Sequence, residues 1–176
     1  GEFVVLMGRT GVGKTTLARC ITGAVPHFYP GELSGTVAVE GCDPARNGPA
    51  ENAHAVTMVF EDFESQLFST DASLEVAFGP ENLGLSGEEV RRRVKEAMAA
   101  VGLDFAAFKD RPIFALSGGE RRKVALAGVL ALEPEILALD EPTSGLAPGS
   151  RKELLDFLLR WREERGGTVS YTHLRA

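Results

Sequence analysis

Near the start, Gly8-Arg9-Thr10-Gly11-Val12-Gly13-Lys14-Thr15 follows the apolar run Phe3-Val4-Val5-Leu6-Met7 and precedes Thr16-Leu17-Ala18-Arg19-Cys20-Ile21. The order predicts a buried strand, a glycine-rich turn and a helix start, and few folds accommodate that succession. Glycines let the backbone curl around an anion, and the helix that begins there aims its unpaired N–H groups and positive dipole end at the same point. The spacing matches a nucleoside-triphosphate phosphate loop (Walker A). In that pattern Lys14 reaches the terminal phosphates, and the Thr15 hydroxyl ligates Mg²⁺. Gly8, Arg9, Thr10, Gly11, Val12, Gly13, Lys14, Thr15 and Thr16 are therefore the residues predicted to bind ATP or GTP, and an α/β fold built on a mainly parallel sheet is expected.

A second short apolar run, Ile136-Leu137-Ala138-Leu139, ends in Asp140-Glu141 and is bracketed by Pro134 and Pro142. Such a run reads as a buried parallel strand carrying two carboxylates at its C-terminal end, where open α/β sheets place their ligands. Asp140 fits the Mg²⁺-associated acid of Walker B. Glu141 fits a general base acting on the attacking water. Between these motifs, Leu116-Ser117-Gly118-Gly119-Glu120 opens a segment of helical periodicity that runs to Leu130. A Ser-Gly-Gly turn at a helix start forms a second anion cradle, or alternatively a plain helix cap with incidental glycines.

Composition narrows the classes. A chain of 176 residues that is 44% hydrophobic can form one well-cored domain. Net charge of −6 disfavours a broad nucleic-acid surface, and no nucleic-acid partner is expected. Cys20 and Cys42 have no metal-ligand spacing and read as structural thiols. No apolar stretch is long enough to span a bilayer, so a membrane connection would run through a partner.

Walker A, the LSGGE run and ILALDEP together resemble the ABC ATPase family over essentially the whole chain. The resemblance implies a P-loop NTPase core with an inserted helical subdomain, at about residues 62–133 with the signature helix included. It also implies two such domains sandwiching two ATP molecules, in a homodimer, a heterodimer or a tandem. Ser117, Gly118, Gly119 and Glu120 would then serve the partner's nucleotide in trans. Val59-Phe60-Glu61-Asp62-Phe63-Glu64-Ser65-Gln66-Leu67-Phe68-Ser69 and Val76-Ala77-Phe78-Gly79-Pro80 look like ATPases of energy-coupling factor (ECF) vitamin and metal importers. That likeness implies an integral-membrane coupling subunit as partner and a peripheral position on the cytoplasmic face of the cell membrane. The alternatives are a soluble ABC ATPase associated with DNA or translation, and a degenerate half-site that binds ATP with little hydrolysis.

Three departures from the family pattern bear on chemistry. Glu61 stands where the family usually has a Gln that touches Mg²⁺ and water; it is a candidate metal ligand with Thr15 and Asp140, and it adds a third acid near the triphosphate. Ala147 ends the Ser144-Gly145-Leu146-Ala147 loop where the family usually has Asp. At the C-terminus, Thr168-Val169-Ser170-Tyr171-Thr172-His173 looks short and polar for a buried strand. His173 is thus either the family's catalytic γ-phosphate contact or an accidental match in an altered end. The chain also looks like a truncated domain, lacking the leading strands and the adenine-stacking aromatic residue of the family and part of its C-terminus.

Pattern alone predicts further elements. Thr36-Val37-Ala38-Val39-Glu40 and Ala55–Phe60 read as strands. Ser86-Gly87-Glu88-Glu89 has a capping-box pattern that starts a helix through Val90, Val94, Ala97, Met98 and Val101. The polar face of that helix carries Arg91, Arg92, Arg93, Lys95 and Glu96 and reads as a solvated surface. A last amphipathic helix follows Pro148, with Leu154, Leu155, Leu158, Leu159 and Trp161 on its apolar face, and ends at Gly166-Gly167.

Overall fold

The structure, a computed structural model, describes residues 1–174. The chain divides into two compact units, Asp62–Glu133 and the flanking segments Gly1–Glu61 and Pro134 onward. The flanking segments form an α/β unit with four parallel strands: β1 (Phe3–Gly8), β2 (Val56–Val59), β3 (Ile136–Leu139) and β4 (Thr168–Leu174). Their spatial order is β1-β4-β3-β2. All three pairings are parallel, with Leu6 opposite Thr172, Leu139 opposite Tyr171, and Val59 opposite Leu139. Every strand therefore ends on the same side of the sheet, and the phosphate loop and the Asp140-Glu141 pair both leave from that side.

Four helices complete this unit. Helix α1 (Lys14–Ile21) follows the phosphate loop; α2 (Ala24–His27) and α3 (Pro44–Glu51) are short pieces beyond it. Part of the core gathers Ala18 of α1, Val39, Ala55, Val56, Met58 and Ala138, with Ile21, Val37, Phe60 and Ile136 packed against it. The last helix of the chain, here α8 (Pro148–Arg165), starts at a proline and closes at Gly166 in the left-handed conformation (φ 67°). It buries Phe157, Leu158 and Trp161, whereas Leu159 faces solvent.

Asp62–Glu133 is helical. It contains α4 (Ala72–Asn82), α5 (Gly87–Ala100), α6 (Phe105–Phe108) and α7 (Gly118–Leu130). Val76, Met98 and Val124 are fully buried in it. Asp71, Ser86 and Asp104 each accept a backbone N–H at the start of a helix, which satisfies donors that the first turn leaves unpaired. Glu75 is buried and accepts from the backbone N–H groups of Phe68 and Ser69 at 3.0 and 2.7 Å, tying the preceding loop to α4.

The structure corrects three sequence expectations. β1 is an edge strand rather than a buried one, with Val4, Val5 and Met7 37, 39 and 57% exposed. Thr36–Glu40 is not a strand; its one ladder contact is an antiparallel bridge between Val39 and Cys42. Its alternation is nevertheless used, because Val37 and Val39 turn inward on the core, so the pattern reported burial and not pairing. The polar C-terminal segment, in turn, forms a seven-residue strand between β1 and β3. The buried Thr172 hydroxyl finds partners at Asp140 and the Glu141 N–H inside the unit, which removes the usual penalty for a polar group in a buried strand.

Candidate functional site

The loop between β1 and α1 is shaped by glycines at left-handed φ, 82° at Gly11 and 100° at Gly13. An added Cβ at either would meet nothing within 4 Å, so the backbone conformation, not space, selects glycine there. Gly13 is the N-cap of α1 and offers no side-chain acceptor. The first N–H groups of the helix therefore point out of the loop without a capping side chain, as an anion cradle requires. The Lys14 ammonium donates to the carbonyls of Gly8 and Arg9 at 3.0 and 3.3 Å, which holds it folded along the loop.

The second half of the site comes from the end of β3. Asp140 and Glu141 are both buried. The Asp140 backbone N–H donates to the Val59 carbonyl at 2.9 Å, so the carboxylate leaves the sheet at the end of β2. The Thr15 hydroxyl donates to Asp140 Oδ1 at 3.1 Å, joining the two motifs across 125 positions of sequence. Lys14 Nζ lies 3.9 Å from Glu141 Oε1. Glu141 has a φ of 48°, a left-handed conformation seldom adopted by residues other than glycine, asparagine and aspartate. Open backbone donors, a lysine, and a hydroxyl paired with a buried carboxylate form a donor set suited to a triphosphate and an oxygen-liganded divalent cation.

Thr172 belongs to the site without any sequence motif that marks it. Its side chain is buried at 1% exposure on β4. The hydroxyl donates to Asp140 Oδ1 at 2.6 Å and accepts from the Glu141 backbone N–H at 2.9 Å. The sequence signal was its place before His173 in a segment that looked too polar for a strand. His173 itself pairs with Met7 in the sheet, and its side chain lies outside the described residues.

Glu61 follows β2 by two residues and is exposed. Among the described residues no three His, Cys, Asp or Glu side chains converge as a metal cage, so Glu61 does not close with Asp140 and Glu141 into one. Ala147 occupies the N-cap position of α8, with extended backbone (φ −60°, ψ 152°) and no side-chain acceptor.

In the helical unit, Ser117 is the N-cap of α7. Its hydroxyl accepts from the Glu120 N–H at 3.2 Å, and the Glu120 carboxylate accepts from the Ser117 N–H at 2.7 Å, a complete capping box. That contact, with Arg111 at 3.1 Å, holds the Glu120 carboxyl below its usual range. The cap uses the Ser117 oxygen as acceptor and leaves its proton available for donation. At Gly118 and Gly119 an added Cβ would meet nothing within 4 Å, so the turn stays open. The arginine run of α5 is largely spent within the unit: Arg92 binds Glu89 and Glu96, and Arg93 binds Glu89 and Glu133.

Comparison with known proteins agrees with this geometry. The family model described as ABC transporter matches residues 1–144. A Methanosarcina mazei protein whose name includes the words ABC transporter ATP-binding protein is 48% identical over 169 residues, covering 96% of this chain and 28% of its own length. The energy-coupling factor transporter ATP-binding protein EcfA2 of Clostridium tetani is 43% identical over 172 residues, covering 96% of this chain and 58% of its own. The chain thus spans between about a quarter and three-fifths of the curated relatives it matches. Among solved structures, cbiO1 from Clostridium perfringens, part of the ABC transporter complex cbiONQ, superposes with a TM-score of 0.84 at 34% identity. The match covers 99% of this chain and 67% of that one. The ATP-binding cassette MJ0796, as a post-hydrolysis dimer bound to ADP and Pi, gives a TM-score of 0.81 at 26% identity, over 97% of this chain and 74% of that one.

Proposed function

Because this chain belongs to the ABC transporter family, we propose that it binds and hydrolyses ATP as the motor domain of a membrane importer of the energy-coupling factor type. What supports the chemistry is the meeting of Thr15 with Asp140 and of Lys14 with Glu141 at one end of a parallel sheet. What supports the importer class is the likeness to EcfA2 and cbiO1.

The phosphate loop N–H groups and Lys14 would hold the triphosphate, and Thr15 and Asp140 the Mg²⁺. Bound there, ATP and Mg²⁺ supply the labile phosphoanhydride and the charge neutralisation that phosphoryl transfer needs. Lys14 is already held against the loop by two carbonyls, so its charge needs little reorganisation to act on phosphate oxygens. Glu141 accepts a proton from the attacking water at its carboxylate. Glu61 is a further candidate ligand from the end of β2. Ser117, Gly118 and Gly119 would serve the nucleotide of a second ATPase domain.

The helical unit carries an exposed apolar group, with Phe68 and Phe78 packed edge to face at 4.5 Å and Leu74 nearby in sequence. Exposed aromatic surface of this kind suits a protein partner, here the membrane coupling subunit. No helix among the described residues is long and apolar enough to cross a membrane. We place the domain on the cytoplasmic face, peripheral to the membrane.

The test is ATP turnover with Mg²⁺ across a range of protein concentrations, for the parent and Glu141→Gln. Turnover that rises more steeply than concentration and disappears in the variant supports a dimeric ATPase with Glu141 as base. A Glu141→Gln protein as active as the parent overturns that assignment. Ala147, which gives α8 no cap and the loop no carboxylate, favours a second reading, a half-site that binds ATP but turns it over slowly. Binding without turnover in the parent selects it.

A further inference from the structure

β4 runs three residues further than its partner β3. The ladder ends where Leu139 faces Tyr171, and the next residue on each strand, Asp140 and Thr172, meets through side chains instead. Thr172 lies at 1% exposure, so its hydroxyl has no recourse to water. It donates to Asp140 Oδ1 at 2.6 Å and accepts from the Glu141 N–H at 2.9 Å. Both hydrogen-bonding functions of one hydroxyl are thereby spent on the two acids of the site.

We propose that Thr172 is a positioning residue of the nucleotide site, which fixes the Asp140 carboxylate and the Glu141 backbone together through its buried hydroxyl. The proposal rests on the reading of Asp140 as the metal-associated acid and Glu141 as the base. Asp140 Oδ1 receives two hydroxyl donors, Thr172 and Thr15, which fixes its rotamer and directs Oδ2 away from both. Glu141 sits at a φ of 48°, a conformation that needs support from its surroundings to persist. The bond from its N–H to Thr172 supplies that support inside the core. One strand thus sets the aim of the metal acid and the backbone that carries the base.

Valine has the shape of threonine without the hydroxyl, and serine keeps the hydroxyl without the methyl. The full-length protein and its Thr172→Val, Thr172→Ser and Thr172→Cys variants would be titrated with a fluorescent N-methylanthraniloyl ATP, first in EDTA and then with increasing Mg²⁺. Turnover would be measured in parallel. In EDTA, Thr172→Val should bind the probe as the parent does, because the phosphate loop is untouched. The Mg²⁺ concentration for half-maximal tightening should rise about tenfold, the scale of one lost hydrogen bond to a charged group. Turnover at saturating nucleotide should fall, and Thr172→Ser should restore both readings.

Parental Mg²⁺ dependence in Thr172→Val overturns the proposal. So does equal impairment in Thr172→Ser, which would assign the effect to methyl packing. Where Thr172→Val does not fold, Ser and Cys decide, since a thiol is the weaker donor; equal Mg²⁺ half-points for the two refute positioning. A parent without any Mg²⁺-dependent nucleotide binding overturns the underlying reading as well, and is recognised in the parent alone.

Discussion

Ala147→Asp tests whether α8 is held back by its first turn. The helix is 18 residues long, starts with Pro148 and has no acidic residue in its first turn. Pro148 has no N–H to satisfy, which leaves Gly149 and Ser150 as the donors a cap would serve. The Ala147 backbone already has N-cap geometry, and its carbonyl accepts from the Arg151 N–H at 3.0 Å. Residue 147 is exposed, so a carboxylate there pays no burial cost. An Asp in place of Ala at an N-cap contributes about 1 kcal/mol, and its charge against the helix dipole about 0.5 more. For a chain of this size, 1.5 kcal/mol corresponds to a rise of about 3–6 °C in Tm. Thermal unfolding of the parent, Ala147→Asp and Ala147→Asn would separate the terms, because Asn caps without charge. We expect both variants above the parent and Asp above Asn. An unchanged or lowered midpoint for both refutes the reasoning, since it would mean that residue 147 does not cap α8. Turnover measured on the same Ala147→Asp protein bears on the loop. The family resemblance predicts an increase, and a stabilised protein with parental turnover confines the carboxylate to capping.

Two further substitutions probe charge. Glu61→Gln removes an exposed carboxylate at the end of β2; about 1 kcal/mol or less is at stake, so the Mg²⁺ half-point for nucleotide binding should rise by up to about fivefold. A full charge contact at ~5 Å would instead give about 3 kcal/mol at an effective dielectric of ~20. Titration of Mg²⁺ against a fixed nucleotide concentration checks this, and identical Mg²⁺ and ATP dependence in variant and parent counts against any role for Glu61. Glu89 is held down to about 2 from 4.5, first by its hydrogen bond from Arg92 and then by that from Arg93. A depressed folded-state pKa means that the pairing stabilises fully above 4.5 and is lost as pH falls towards 2. Glu89→Gln should therefore melt below the parent at neutral pH, with the gap closing across that acid window. A pH-independent gap would point to packing instead.

What could be read from the sequence was decided by how local each determinant is. The phosphate loop is a contiguous statement about backbone: Gly11 and Gly13 need left-handed φ, and the helix after them needs a free N-terminus, so eight residues carry the whole geometry. The caps at Ser86 and Ser117 are equally local, and both form. Ser86 completes only half of its box, because Glu89 turns to Arg92 and Arg93, a choice set by side chains one helical turn on.

Strand pairing is not local, and local pattern misleads there in two opposite ways. Val37 and Val39 alternate as a strand does and point into the core, yet their backbone finds no ladder, since alternation reports which side is wet and says nothing about a neighbour. Ser170, Tyr171 and Thr172 looked too polar for the sheet, yet lie in a strand flanked on both sides. Polarity argues against burial only when the polar group lacks a partner, and the partner of Thr172 stands 32 positions away at Asp140. A polar residue of the strand is thus the one that joins it to the candidate site. A local rule that fails for such a reason marks a place where the sheet and the chemistry share one hydroxyl.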